Sequence, residues 1–253
     1  MPTTLDKHLL YELCVTDGPR LARFLRAVHG KDPTILREDF SGSAALARAW
    51  AFEGLPAVAV DFDPLVLARA EAPRITTLVA DAARCRVKAD IIAATNFPLG
   101  YYHTRKALLA YLKNTRLALR PKGIFAADIY GGSDSFRPLK LTQKLRGPAG
   151  QRIAYTWEQR LADPVSGLVL NSLSFDIKQG TRARKLHDAF VYHWRLWSIP
   201  ELRDALTDAG FRSVEVYSRL GDAIDSDGNL HVLPLDPLQD LDDNYVVYVI
   251  GRR

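Results

Sequence analysis

Cysteine is almost absent: Cys14 and Cys85 are the only two in 253 residues. They lie far apart, with no His or Cys partner at metal-ligand spacing. That argues against a disulfide framework or a zinc site, so no metal is expected and a reducing compartment is. No apolar run approaches the roughly 20 residues that span a bilayer, so no membrane partner is expected. The first residues, from Met1 to His8, contain no apolar segment and no small-residue cleavage site. No signal peptide is read there, and the expected location is cytoplasmic. Internal repeats, low-complexity tracts and long linkers are also lacking.

What the chain does have is ordinary globular composition, 47% hydrophobic and 25% charged, enough for one large domain or one domain with an insertion. The net charge of +5 comes mostly from interspersed residues. The one dense basic cluster, Arg182-Ala183-Arg184-Lys185 beside Gly180, reads as a solvated turn between strands, so nucleic acid is not the expected partner. From Gly18, Leu21, Phe24, Leu25 and Val28 recur at helical spacing, and Gly30 stops the helix. Strands are then expected at Thr34–Leu36, Ala57–Val60, Ile75–Val79, Asp90–Ala94 and Gly123–Asp128. Helices alternate with them at Ala44–Phe52, Pro64–Ala70 and Thr104–Leu119. Such alternation implies right-handed crossovers and a parallel sheet covered on both faces.

After Tyr130 the period changes to two. Ile153, Tyr155, Trp157 and Leu161 alternate with polar residues, as do Val169, Leu173, Phe175 and Ile177, and then Leu186, Phe190, Tyr192, Trp194 and Leu196. Three such runs with short turns predict an antiparallel sheet with one buried face. The α/β pattern resumes at Ser198-Ile199-Pro200-Glu201, a capping box, and two strands close the chain near Ser213–Tyr217 and Tyr245–Ile250. The expected fold class is α/β: a doubly wound, Rossmann-like, mostly parallel seven-stranded sheet with an inserted antiparallel β cap. The expected division is residues 1–130 with 198–253, and the insertion 131–197. The acidic loop with Asp222, Asp225 and Asp227 lacks the EF-hand spacing and reads as solvated.

Ligands of open α/β sheets bind beyond the carboxyl ends of the strands. Three acidic tips occur there in order. The first is Leu36-Arg37-Glu38-Asp39-Phe40-Ser41-Gly42-Ser43, the second Asp61-Phe62-Asp63, the third Ala80-Asp81-Ala82. A small-residue turn followed by a helix lets backbone approach a ligand, and an acid about 20 residues on is the usual ribose acceptor. The dinucleotide signature G-x-G-x-x-G and the P-loop signature G-K-[ST] are both missing. A ligand with ribose and adenine but no phosphate fits this pattern. A competing reading makes Arg37-Glu38-Asp39 a charge cluster that holds the sheet end together.

The strand order, the acidic tips and the closing helix with two strands resemble the class I S-adenosylmethionine-dependent methyltransferases. More narrowly, residues 36–43 are similar to the L-R-E-D-F-C-G-T signature of a poorly characterised bacterial group. Here Ser41 and Ser43 stand where that group has Cys and Thr. The similarity extends to Asn96-Phe97, Tyr155–Gln159 and Tyr192–Trp197. It implies S-adenosyl-L-methionine as cofactor. Glu38, Asp39, Phe40, Ser41 and Gly42 would line its methionine and ribose side, and Asp61 would bind the ribose. Phe62 would flank the adenine, whose edge Asp81 and Ala82 would meet. Asn96 and Phe97 would mark where donor methyl and acceptor come together. Lys7, His8 and Tyr11 would belong to a lid.

Methyl transfer from a sulfonium depends mostly on alignment and exclusion of water. A general base helps a hydroxyl or ammonium acceptor. The candidates are His103 and Tyr101 or Tyr102 after the fourth strand, Asp128 and Tyr130 at the fifth, and His193 on the insertion. The aromatic insertion suggests an enclosed pocket for a small molecule, an amine if cation–π attraction operates. Alternatively these rings form only the core of the insertion. The other readings are a nucleic-acid or protein methyltransferase and a non-catalytic S-adenosylmethionine-binding protein. Oligomeric state and acceptor stay open.

Overall fold

The computed structural model describes residues 5–236 and 240–253. An N-terminal helix, α1 (Lys7–Val15), precedes α2 (Gly18–His29), which ends at Gly30 with φ 69°. Only a residue free to enter the left-handed region terminates a helix this way at little cost. Strands and helices then alternate through β1 (Leu36–Asp39), α3 (Ala45–Phe52), β2 (Ala57–Asp61), α4 (Pro64–Leu67), β3 (Ile75–Val79), β4 (Ala89–Ala94), α5 (Arg105–Ala118) and β5 (Leu119–Gly131). A second run follows: β6 (Leu139–Arg146), β7 (Arg152–Ala162), β8 (Leu168–Gln179) and β9 (Arg182–Arg195). The chain ends with α6 (Ile199–Asp208), β10 (Ser213–Tyr217), the small hairpin β11 (Ala223–Ile224) and β12 (Leu230–His231), and β13 (Tyr245–Arg252).

The central sheet has seven strands in the order β10-β13-β5-β4-β1-β2-β3, with β13 antiparallel to both neighbours. β1 lies between β2 and β4, both parallel to it, so the winding reverses there. On one face Leu108 and Tyr111 of α5 and Leu206 of α6 pack in one cluster with Phe125 of β5. On the other, Phe24 and Leu25 of α2 and Leu46 and Trp50 of α3 cluster with Leu36 of β1 and Ile91 of β4. The expected α/β class holds. No helix among the described residues is long and apolar enough to cross a membrane.

The structure corrects several boundaries. The first strand is not Thr34–Leu36 but Leu36–Asp39, so Glu38 and Asp39 belong to the strand rather than to the turn beyond it. Backbone pairing to β2 continues through Asp39↔Val60, which an apolar count could not register because Arg37, Glu38 and Asp39 are polar. The segment 64–70 divides into α4 and a 3-10 turn, Ala68–Ala70. The antiparallel sheet has four strands, β6-β7-β8-β9, rather than three. β6 is an edge strand whose leucines sit among lysines, Leu141 exposed and Leu139 and Leu145 only half-buried, so its alternation is faint. Leu161 leaves the inner face: a register shift between Gln159 and Leu161 turns it outward, 64% exposed, whereas Gln159, which precedes the shift, keeps the inward alternation and is buried. A bulge of this kind reverses the facing of every residue after it.

α1 lies under this sheet. Leu10 is fully buried, in a cluster with Leu5, Ile153, Phe175 and Ile177. Ion pairs Arg69–Asp6 and Arg48–Glu12 tie the helix to the main body, and Arg184 Nη1 donates to the Leu5 carbonyl at 3.0 Å. α1 is therefore fixed between the two sheets.

Candidate functional site

Beyond the carboxyl ends of β1, β2 and β4 lies a cleft of about 300 Å³. Its residues fall into two chemistries. Glu38, Asp61 and Asp63 supply carboxylates around the turn after β1 and the tip of β2, while Tyr11, Tyr101, Phe190 and Tyr192 supply rings from α1, the turn after β4, and β9. A side pocket of about 210 Å³, lined by Ala80, Asp81 and Ala82, shares Phe40, Asp61 and Phe62 with the cleft.

The turn after β1 explains both the opening and the missing glycine signature. Phe40, Gly42 and Ala44 all take the left-handed conformation, at φ 56°, 51° and 59°. Each non-glycine residue there costs about 1–2 kcal/mol. Ring contacts hold Phe40 in place: centroids lie 6.4 Å from Tyr101, 6.2 Å from Tyr102 and 5.8 Å from Tyr111. A glycine-type turn is thus built with one glycine, and a search for glycine spacing passes over it.

Alternation along β1 divides its acidic run. Glu38 points toward α3, whose N-cap residue Ala44 provides no side-chain cap. The Glu38 carboxylate substitutes, accepting the Ala47 N–H at 2.8 Å, and it lines the cleft. Burial pushes its pKa up to about 8, against the opposing pull of that hydrogen bond. Arg37 and Asp39 point the other way and are fully buried. Their side chains pair at 2.8 and 2.9 Å, and the Tyr111 hydroxyl donates to Asp39 at 2.9 Å. Asp39 therefore does not line the cleft. The charge-cluster reading describes Arg37 and Asp39; Glu38 stands apart from it.

Asp61 links the two acidic tips. One oxygen accepts the Gly42 N–H at 2.8 Å and the other the Asp63 N–H at 3.0 Å, leaving each oxygen further acceptor capacity. Beside it the Ser41 hydroxyl is buried, lines the cleft and has no hydrogen-bond partner among the described residues. Buried hydroxyls are rarely left so. Phe62 is 76% exposed at the rim shared by both cavities.

At the end of β4 the structure brings Asn96, Thr95, Pro98 and Tyr101 to the cleft, but not Phe97. The Phe97 ring instead packs edge-on against Tyr130 at 5.1 Å and Trp194 at 6.0 Å. Asp128 is also off the wall. It is 5% exposed, and its carboxylate accepts the N–H groups of Asn96 and Phe97 at 2.9 and 2.8 Å. His103 and His193 are exposed and absent from the lining; their rings meet at 4.9 Å, and His103 Nε2 lies 2.8 Å from the His193 carbonyl. Tyr102 lies behind Phe40, and Tyr130 hydrogen-bonds with Gln159 and Asn171. Of the proton-transfer candidates, Tyr101 alone lines the cleft. Burial keeps its phenol, like those of Tyr11 and Tyr192, above the usual tyrosine range, so all three are donors rather than bases near neutrality.

The inner face of the antiparallel sheet is the one turned to the cleft. Phe190, Tyr192 and Trp194 form a ladder along β9, stacked at 6.2 and 4.3 Å between centroids. Trp197 is buried behind it and donates from Nε1 to the Leu99 carbonyl at 3.1 Å. Lys7 places its ammonium 5.0 Å over the Phe190 ring, and Tyr11 and His8 meet that ring edge-on. Burial lowers the His8 pKa, so this imidazole is neutral near pH 7. Sequence reasoning missed Arg48, which donates to the Ser43 carbonyl and pairs with Glu12, tying the turn after β1 to α1. A surface-helix arginine carries no sequence signal for such a role.

No protein-family model matches the chain, and no curated protein matches it. Solved structures do. DesVI from Streptomyces venezuelae is similar over 96% of this chain and 94% of its own, with TM-score 0.71 and 17% identity. CalS10, an S-adenosylmethionine-bound amino pentose methyltransferase from Micromonospora echinaspora, gives 0.70 and 13% over 96% and 95%. A S-adenosylmethionine-dependent methyltransferase from Clostridium acetobutylicum gives 0.66 and 16% over 96% of each chain. The chain has the Rossmann-like fold of these S-adenosylmethionine-dependent methyltransferases, with its seven-stranded sheet and its added antiparallel sheet.

Proposed function

We propose that this protein is a methyltransferase that uses S-adenosyl-L-methionine and methylates a small-molecule amine, with residues 131–197 acting as a cap on the remainder. The observation that carries the proposal is the junction of the first two tips. Asp61 accepts from Gly42 across the left-handed turn, next to the unpartnered hydroxyl of Ser41. The residues suit the cofactor. Asp61 would accept from the ribose hydroxyls, and Ser41 and Glu38 would meet the methionine side. Phe62, Asp81 and Ala82, in the adjoining pocket, would take the adenine. When bound, the cofactor supplies an electrophilic methyl group on a sulfonium.

The chain's own residues then have to align and enclose. Asn96 and Tyr101 border the junction between the acidic and aromatic parts of the lining, and α1 with β9 excludes water above it. A neutral amine brings its own lone pair, so once an ammonium acceptor has given its proton to solvent no residue of the cleft has to act as a base, which suits a wall of protonated phenols. Aromatic rings also favour a cationic product by about 0.5–2 kcal/mol. The amino pentose substrate class of one structural neighbour points the same way. The concave, ring-lined cleft favours a small molecule over a polymer. Incubation with isotope-labelled donor and a metabolite extract, followed by mass spectrometry, tests the proposal. Labelled methylamines are expected; labelled nucleic acid or protein alone would overturn the small-molecule reading, and no labelled product in any fraction would count against methyl transfer itself.

A further inference from the structure

The Asp128 carboxylate is buried, and among the described residues no cation pairs with it. The groups that face it are the N–H groups of Asn96 and Phe97, the Tyr11 phenol of α1 and the Tyr248 phenol of β13, and burial keeps both phenols protonated. The two N–H groups belong to consecutive residues in the left-handed region, at φ 70° and 65°. Neither is glycine, and Phe97 has no polar side chain to ease that conformation. Strained pairs of this kind persist only where their surroundings over-determine them. Successive N–H groups converging on one point form a concavity for an anion. Here the anion is part of the protein, and each of its oxygens takes one N–H.

We infer that Asp128 is a positioning residue: its ionised carboxylate holds the Asn96–Phe97 pair in the left-handed form and so sets the Asn96 side chain on the cleft wall. The geometry separates this role from that of a base, because Asp128 is off the cleft lining and both its oxygens are engaged. Packing alone would favour a neutral side chain at this place, and burial pushes the Asp128 pKa up to about 6. The charge is kept where it serves two strained residues at the end of β4. A protonated carboxyl has an O–H where one loop N–H needs an acceptor, so one of the two bonds is lost as pH falls through that value. Glu38, raised to about 8, is already mostly protonated in this window and does not share the transition.

The consequence for cofactor binding rests on the proposed function; the structural part does not. In the full chain, the backbone amide signals of Asn96 and Phe97 and the side-chain amide of Asn96 are followed by NMR from pH 7.5 to 5. They are expected to titrate together near pH 6, and to be flat in Asp128→Asn. In parallel, S-adenosylhomocysteine affinity is measured by calorimetry. Asp128→Asn at pH 7.5 is expected to bind about tenfold more weakly than the parent, as one lost hydrogen bond predicts. The parent at pH 5.5, with this carboxylate about three-quarters protonated, should lose about threefold while still unfolding cooperatively. Amides that do not titrate, or a backbone pair that titrates without the Asn96 side chain, overturn the inference. So does equal affinity in Asp128→Asn. A parent that shows the titration but binds no S-adenosylhomocysteine leaves the positioning role intact and counts against the cofactor reading. The pH series on the parent needs no variant to fold.

Discussion

The Asp39→Ala substitution removes the carboxylate that Arg37 grips inside the sheet. In the native protein both side chains are fully buried and joined by contacts of 2.8 and 2.9 Å, and Arg37 Nη1 also donates to the carbonyls of Cys85 and Val87 at 3.2 and 3.0 Å. Alanine leaves the guanidinium with its carbonyl partners but no counter-charge. Breaking a buried pair on one side costs about 3–5 kcal/mol. The Tyr111 hydroxyl, which donates to Asp39 at 2.9 Å, loses its acceptor and adds about 1 kcal/mol. For a chain of this size each kcal/mol lowers Tm by about 2–4 °C, so a fall of about 8–24 °C is expected by circular dichroism. The double variant Arg37→Met, Asp39→Leu replaces the pair with apolar side chains of similar bulk and should recover most of that loss. It should also bind S-adenosylmethionine like the parent, since neither side chain lines the cleft. A single variant within about 2 °C of the parent refutes the buried-pair argument. A stable double variant that no longer binds the cofactor would restore Asp39 to the binding set.

Two further outcomes follow from the same geometry. Glu38 and Asp128 have folded pKa values near 8 and 6, above their ordinary 4.5 and 3.8. The folded state therefore holds more protons, and their stabilising effect is complete below pH 4 and lost as pH rises through the two folded values. Tm should be higher at pH 5.5 than at 8.5, and Glu38→Gln should flatten the part above pH 7; a Tm rising across that range would contradict the assignment. At Gly100 an added Cβ would lie 2.7 Å from the Trp194 side chain. Gly100→Ala should destabilise by about 1–3 kcal/mol through overpacking, measured by urea denaturation, and an unchanged midpoint would show that β9 shifts freely.

Much of this architecture was legible because burial follows periodicity. Ala57–Val60, Ile75–Val79 and Asp90–Ala94 read as strands, and Ser198 with Glu201 forms the capping box observed. The acidic tips led to the cleft and to Glu38, Phe40, Ser41, Gly42, Asp61 and Phe62 on its wall; the resemblance added Lys7, His8, Tyr11 and Asn96, and the choice of proton-transfer candidates added Tyr101. What stayed hidden is conformational or long-range. Nothing in the letters Phe40 and Ala44 announces a left-handed turn. Asp39 could have been separated from Glu38 by strand alternation, had Leu36–Asp39 been read as a strand rather than as the loop beyond one. His103 and His193 drew notice for their chemistry, yet exposure and the facing of β9 keep both out of the cleft. Asp128 drew the same notice, and its two backbone partners lie 32 and 31 residues away, beyond any local pattern.

Calorimetric titration with S-adenosylmethionine, comparing the parent with Asp61→Ala, tests the central claim most directly. The parent is expected to bind one equivalent. The variant, which loses both the acceptor oxygens and the Gly42 tether, is expected to bind at least about a hundredfold more weakly, as two lost charge-assisted hydrogen bonds imply. A parent that binds nothing, or a variant that binds as tightly as the parent, would contradict the account.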